Sequence, residues 1–221
     1  MILDKNNDKV DVNKISIDDD IVNKWQEIVD SLSEIFQVPA ALIMRVDESN
    51  IEVFRANIDE NNPFKSGQIY KLAGVYCEKV IKSNKKLLVP NALKDKEWDH
   101  NPDLEFNMIS YLGYPILWPN KTVFGTICLS DTVENKYNKN IEKIMSQYKK
   151  VIESYLDLIY KNFQVQKSLQ DYRKQEIELQ KKVDELEKNQ VLFGNNELKI
   201  FDLQNEVDIL RKKLGLSSKY S

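Results

Sequence analysis

Ile21, Val22, Trp25, Ile28, Val29, Leu32, Ile35 and Phe36 recur at three- and four-residue spacing, the period of one apolar helical face. Asp18, Asp19 and Asp20 precede this stripe, where carboxylates cap free N–H groups and face the positive dipole end; Pro39 closes it. The period then changes. AALIMRV (40–46) and IEVFRA (51–56) flank the four-residue turn DESN, which predicts a β-hairpin. The polar loop NIDENNPFKSGQ leads to a short strand near Ile69–Leu72. After Ala73-Gly74, Val75–Ser83 reads as a short helix and KLLVP (86–90) as a strand. NALKDKEWDHNPDLEFN (91–107) is a connection of the length that compact domains reserve for lids and binding loops. Residues 109–117 and 122–130, rich in β-branched and aromatic types around Pro119-Asn120-Lys121, predict a second hairpin. Its lack of alternation predicts burial on both faces. Strands early and late, with helices between and around them, predict an α+β domain over residues 18–143.

From Ile144 the pattern becomes a heptad of alternating three- and four-residue steps, unbroken to residue 193 and free of Pro and Gly up to that point. Ile144, Val151, Leu158, Val165, Tyr172, Leu179, Leu186 and Phe193 fall at d. Tyr148, Tyr155, Asn162, Leu169, Glu176, Val183 and Gln190 fall at a. A domain of this size cannot cover so long a stripe, so a parallel homodimeric coiled coil is expected over 144–193. Its interface is the seam from Tyr148 to Leu186, apart from Glu176. Asn162 at a is the residue type that fixes register in two-stranded coils, and Lys182 at g with Glu187 at e has the spacing of an interchain pair. Phe193-Gly194-Asn195-Asn196 predicts a helix end or hinge, with the break at 194–196. A second amphipathic helix is expected over 197–215, with Ile200, Leu203, Val207, Leu210 and Leu214 on one face. Its phase skips by three, as in a stammer. Residues 1–17, without period and rich in Asp, Asn and Lys, read as a flexible leader, and 216–221 as a tail.

Composition narrows the function classes. Net charge is −3, with 30% charged and 42% hydrophobic residues, and acids and bases interspersed. No basic face points to nucleic acid or anionic lipid. No apolar run approaches the roughly 18–20 residues needed to span a bilayer. The opening MILDKNNDKVDVNK lacks the pattern of a signal peptide, so a cytoplasmic location is expected. Cys77 and Cys128 are too far apart in sequence for a zinc-type motif, and the one histidine, His100, lies in the polar stretch KDKEWDHNPD. No metal, cofactor or catalytic residue is expected.

The order helix, hairpin, loop, short helix, strand, long loop, buried hairpin, exit helix resembles a GAF domain. LGYPILWPN…VFGTICLSD is similar to the late hairpin of GAF domains in bacterial sensor kinases and diguanylate cyclases. Tyr76-Cys77-Glu78 and Leu88-Val89-Pro90-Asn91 look like that subgroup too. Lys121 stands where the subgroup commonly has Gly. The resemblance implies a central antiparallel sheet flanked by helices and a pocket between the sheet and its covering helix and loop. It implies a ligand-binding set of Gly74, Val75, Tyr76 and Cys77 at the covering helix, and Trp98, His100 and Asn107 on the lid. Ser110, Tyr111, Gly113, Thr126 and Cys128 on the late strands complete it. The exposed N–H groups of the covering helix suggest a small anion such as a carboxylate. Family ligands fit less well: Asn135-Lys136 lacks the companions of a cyclic-nucleotide site, Cys77 precedes Glu78 where a bilin thiol precedes His, and haem would need His100. The reading is a non-catalytic small-molecule sensor acting on a downstream signalling protein. The alternative is a ligand-free scaffold for dimerisation.

Overall fold

A computed structural model describes residue 12 and residues 15–220, without the side chains of residues 192–195. By compactness the chain divides into residues 1–164 and residues 165–221. In the first unit, helix α1 (Asp19–Phe36) begins as its acidic run predicts. Asp18 is the N-cap, its carboxylate accepting the Asp20 N–H at 2.9 Å, and Gln37 ends the helix in the left-handed conformation. Next come β1 (Ala40–Asp47), β2 (Asn50–Ala56), β3 (Ile69–Lys71), α2 (Tyr76–Ser83) and β4 (Leu87–Val89). Two 3-10 turns at Ala92–Lys94 and Pro102–Phe106 are followed by β5 (Ser110–Leu117), β6 (Val123–Asp131) and α3 (Lys139–Lys213). The strands form one six-stranded sheet in the order β3-β2-β1-β6-β5-β4, every recorded neighbouring pair being antiparallel.

Because side chains alternate along a strand, the sheet sorts its residues into two cores. On one face Ala41, Ile43, Phe54, Leu112, Ile116, Ile127 and Leu129 meet α1 and the first turns of α3. Trp25 is fully buried there, edge-on to Phe54 and Phe124, each 5.6 Å away between ring centres. On the other face Leu42, Met44, Ile51, Tyr111 and Cys128 meet α2 and the two 3-10 turns. The late hairpin is buried on both sides as expected.

Three expectations need correction. The flexible leader expected over 1–17 is packed at its end: Ile15 is buried, and Val12 and Ile17 pack against the core on the α1 face; residues 1–11, 13 and 14 lie outside the described residues. α3 starts at Lys139, because the Asn138 side chain caps it, accepting the N–H groups of Asn140 at 2.9 Å and Ile141 at 3.1 Å. The break expected at 194–196 is helical, and α3 runs to Lys213, where Gly215 with φ 74° turns the chain. A change of heptad phase therefore falls within a helix.

Between Ile141 and Phe163, α3 carries two apolar faces. Met145, Ile152, Leu156 and Ile159 pack into the sheet, a stripe that the heptad reading passed over. Val151 and Leu158 on the expected seam remain 43% and 52% exposed, whereas Tyr148 and Tyr155 lean on the core. In the second unit Val165, Leu169, Tyr172, Leu179, Val183 and Leu186 are exposed. Lys182 pairs along its own helix with Glu178 at 2.8 Å.

Candidate ligand-binding site

The α2 face of the sheet is not filled. A cavity of about 290 Å³ lies between the strands, the start of α2 and the 3-10 turn at 102–106. Leu42 and Met44 of β1, Ile51 of β2 and Cys128 and Ser130 of β6 form its floor. Val75 and Cys77 come from the α2 side, and Tyr111 from β5. Phe64, Tyr70 and Phe106 form an aromatic wall, with ring centres 5.1, 5.9 and 6.0 Å apart. Lys71, Asp103 and Glu105 are its charged groups.

Each wall residue is held by local chemistry. Phe64 sits in a loop fixed by buried amides. Asn57 takes the Ala41 N–H at 2.8 Å and donates to Ser33 at 2.8 Å. Asn62 donates to Asn57 at 2.7 Å and accepts the Phe64 N–H at 3.0 Å. Tyr70 lies on the three-residue edge strand β3, its hydroxyl donating to Gln68 at 2.9 Å. Asp103 belongs to a 3-10 turn capped by Asn101, which accepts the Asp103 N–H at 2.7 Å. Desolvation raises the Asp103 carboxyl from 3.8 to about 6, against a weak bond from the Tyr76 N–H at 3.4 Å.

At the start of α2, Gly74 has φ 89°, and a Cβ there would stand 3.3 Å from the ring of Pro102. Glycine thus gives both the left-handed turn and the close approach of the 102–106 turn. The N–H of Gly74 donates to Glu78 at 2.8 Å, and that of Tyr76 faces Asp103. Carboxylates of the chain already occupy these donors, which argues against the small anion expected there.

Apart from Gly74 at the start of α2, the site residues expected from sequence fall into three groups. Val75, Cys77, Tyr111 and Cys128 line the cavity. Tyr76, Trp98, Gly113 and Thr126 support it from behind. Tyr76 is fully buried between Tyr111, 4.8 Å away and nearly parallel, and Trp98 at 5.2 Å, with its hydroxyl donating to the Met108 carbonyl at 3.1 Å. A Cβ on Gly113 would lie 2.0 Å from the Tyr111 hydroxyl, so glycine lets that ring lie across the strand. Thr126 donates to Cys77 Sγ at 3.3 Å. His100, Asn107 and Ser110 lie elsewhere. The His100 side chain is 96% exposed. Asn107 ends the 3-10 turn with φ 59° and borders a separate, open cleft. Ser110 faces the other core, 3.4 Å from the Tyr137 hydroxyl.

Both thiols are fully buried and share one hydrogen-bonded cluster. Bonds from Cys128, Thr126 and Tyr111 pull the Cys77 thiol below its ordinary pKa against desolvation. Cys128 is pushed well up by its bond to Cys77 and by burial. Burial, chiefly, raises Tyr111 well above the phenol range. Sequence reasoning missed Phe64, Tyr70, Phe106 and Asp103. The usable signal was the aromatic residues within otherwise polar loops and Asp103 two residues after the cap Asn101.

The GAF domain model matches residues 20–148. No curated protein matches the chain. Similar solved structures include the GAF domain of a phosphoenolpyruvate-protein phosphotransferase from Acinetobacter, with 12% identity and TM-score 0.51, covering 69% of this chain and 90% of that one. The PixJ GAF domain of Thermosynechococcus elongatus gives 11% identity and TM-score 0.52, covering 71% and 96%. A type II free methionine-R-sulfoxide reductase from Thermoplasma acidophilum gives 10% identity and TM-score 0.52, covering 64% and 95%. At these identities the likeness is one of fold.

Proposed function

Since the chain belongs to the GAF family, whose members are sensory and signalling modules, we propose that it is a non-catalytic sensor whose α2-side cavity binds a small molecule. Occupancy is passed through a parallel dimer of α3 to a partner protein. The observation that carries this reading is the cavity itself: about 290 Å³ with largely apolar walls, between the sheet and its α2-side cover.

A physical route to α3 supports transmission. β5 places Tyr111 against the cavity, and further along the same strand it grips α3. The Tyr114 hydroxyl donates to the Glu142 carbonyl at 3.2 Å, and the Leu117 N–H donates to the Glu153 carboxylate at 3.0 Å. A ligand that favours one position of β5 would bias α3 by its differential affinity for the two arrangements. Exposed Val151, Leu158, Leu169 and Leu179 support burial of the seam against a second copy. No helix among the described residues is long and apolar enough to cross a membrane, in keeping with a reading that needs none.

Sedimentation of the full chain at micromolar concentration tests the dimer. A two-subunit species that Leu158→Glu together with Leu179→Glu converts to one subunit is expected. A wild-type protein that stays single would remove the transmission element.

A further inference from the structure

The chemistry of the cavity wall goes beyond a generic small molecule. We infer that the cavity takes a small organic cation, an ammonium whose apolar substituents lie against Phe64, Tyr70 and Phe106 and whose charge faces Asp103. This rests on the cavity being the ligand site and names the class of ligand.

Three observations converge. The first is the aromatic wall, three rings within 6.0 Å of one another at one side of the cavity. Aromatic faces carry negative potential and attract alkylated ammonium groups, which lose little hydration on entering such a wall. The second is the charge balance. The cavity's charged groups are one lysine, Lys71, and two carboxylates, Glu105 and Asp103; Lys71 and Glu105 are exposed, and Asp103 is the least exposed of the three. Among the described residues, no lysine or arginine pairs with Asp103; its recorded hydrogen bond is the long one from the Tyr76 N–H. The third is the state of the other polar groups. The Tyr111 hydroxyl and the Cys77 thiol already bond each other at 3.4 Å, and the N–H groups of Gly74 and Tyr76 face Glu78 and Asp103. An anion would find one exposed ammonium, Lys71, and two carboxylates, whereas a cation finds in Asp103 an ionised carboxylate without a full partner. Desolvation of Asp103 supports this, since its carboxyl titrates near 6 and is charged at neutral pH.

Calorimetric titration of the full chain with choline and with its neutral isostere 3,3-dimethyl-1-butanol at pH 7.5 tests the inference. Choline is expected to bind at least tenfold more tightly than the isostere. Asp103→Asn is expected to weaken choline at least tenfold while leaving the isostere unchanged. Phe106→Leu, which keeps apolar bulk but removes a ring, is expected to weaken choline severalfold. Circular dichroism and thermal melts confirm that both variants are folded. Equal binding of choline and the isostere, or choline binding that ignores Asp103→Asn, would overturn the cation class while leaving the cavity a ligand site. If neither choline nor tetramethylammonium binds, the inference fails. Binding of a neutral probe such as indole in that case keeps the sensor reading while the cation class falls.

Discussion

The two faces of the sheet use the same strands to opposite ends. Against α1 and α3, Trp25, Phe54, Phe124 and Trp118 interlock edge to face, with ring centres 5.6 to 5.9 Å apart, and the space that remains, about 230 Å³, lies at the edge beside Trp118 and Phe124. Against α2, the cover is one eight-residue helix and two 3-10 turns, and a hollow remains. Long helices present a continuous stripe that fills the space between layers, whereas short turns held by side-chain caps leave gaps at their ends. The α1 face buries aromatic rings against long helices, and the α2 face is where we propose that a ligand sits.

Substitutions can break this contrast. Trp25→Ala on the packed face should produce the largest loss, about 3–5 kcal/mol by urea denaturation, because a fully buried aromatic is removed from a rigid surround. A loss near zero would mean that this face is as loose as the other. Gly113→Ala beneath the hollow should cost about 1–3 kcal/mol, since the new methyl overlaps the Tyr111 ring. Combined with Tyr111→Leu the penalty should shrink, and additive losses in that double-mutant cycle would deny the overlap.

A smaller effect carries a pH signature. Asp103 titrates near 6 in the folded chain and at 3.8 as a free side chain, so the folded state holds the proton more tightly. Stability is therefore lost as pH rises from about 4 to about 6 and is flat above. Tyr70, Tyr76, Lys71 and Glu105 share this region of the molecule. Asp103→Asn should gain on the order of 1 kcal/mol over wild type at pH 8, discounted for partial exposure, and nothing at pH 3. A gain that does not change with pH would assign it to packing. The smallest effect is expected on α3, where Lys182→Ala removes an exposed pair with Glu178 and should shift stability by a few tenths of a kcal/mol in thermal melts.

What the sequence made legible follows from periodicity. α1 and both hairpins emerge within a few residues because each repeats one spacing over its whole length. The start of α3 precedes its heptad because Asn138 caps the helix before the repeat begins. Its domain-facing stripe, Met145, Ile152, Leu156 and Ile159, was hidden because two apolar faces overlap in one segment and the heptad selects only one. In the cavity, Val75, Cys77, Tyr111 and Cys128 were within reach because α2 and the late strands are regular elements. Phe64, Tyr70, Phe106 and Asp103 come from an amide-pinned loop, an edge strand and a 3-10 turn, none of which has a period to read. The resemblance puts His100 on the lid, yet the polar stretch around it, with Asp99, Asn101 and Pro102, holds it at a solvent-facing turn.

The account depends most on the hollow under α2 accepting a molecule. Thermal unfolding of the full chain against a library of small cations, anions and neutral compounds measures this directly, with Ser130→Phe, which adds bulk to the cavity floor, as the paired control. At least one compound should raise the wild-type midpoint in proportion to the logarithm of its concentration and leave the filled variant unmoved. Equal shifts in both proteins, or none from any compound, would contradict the account.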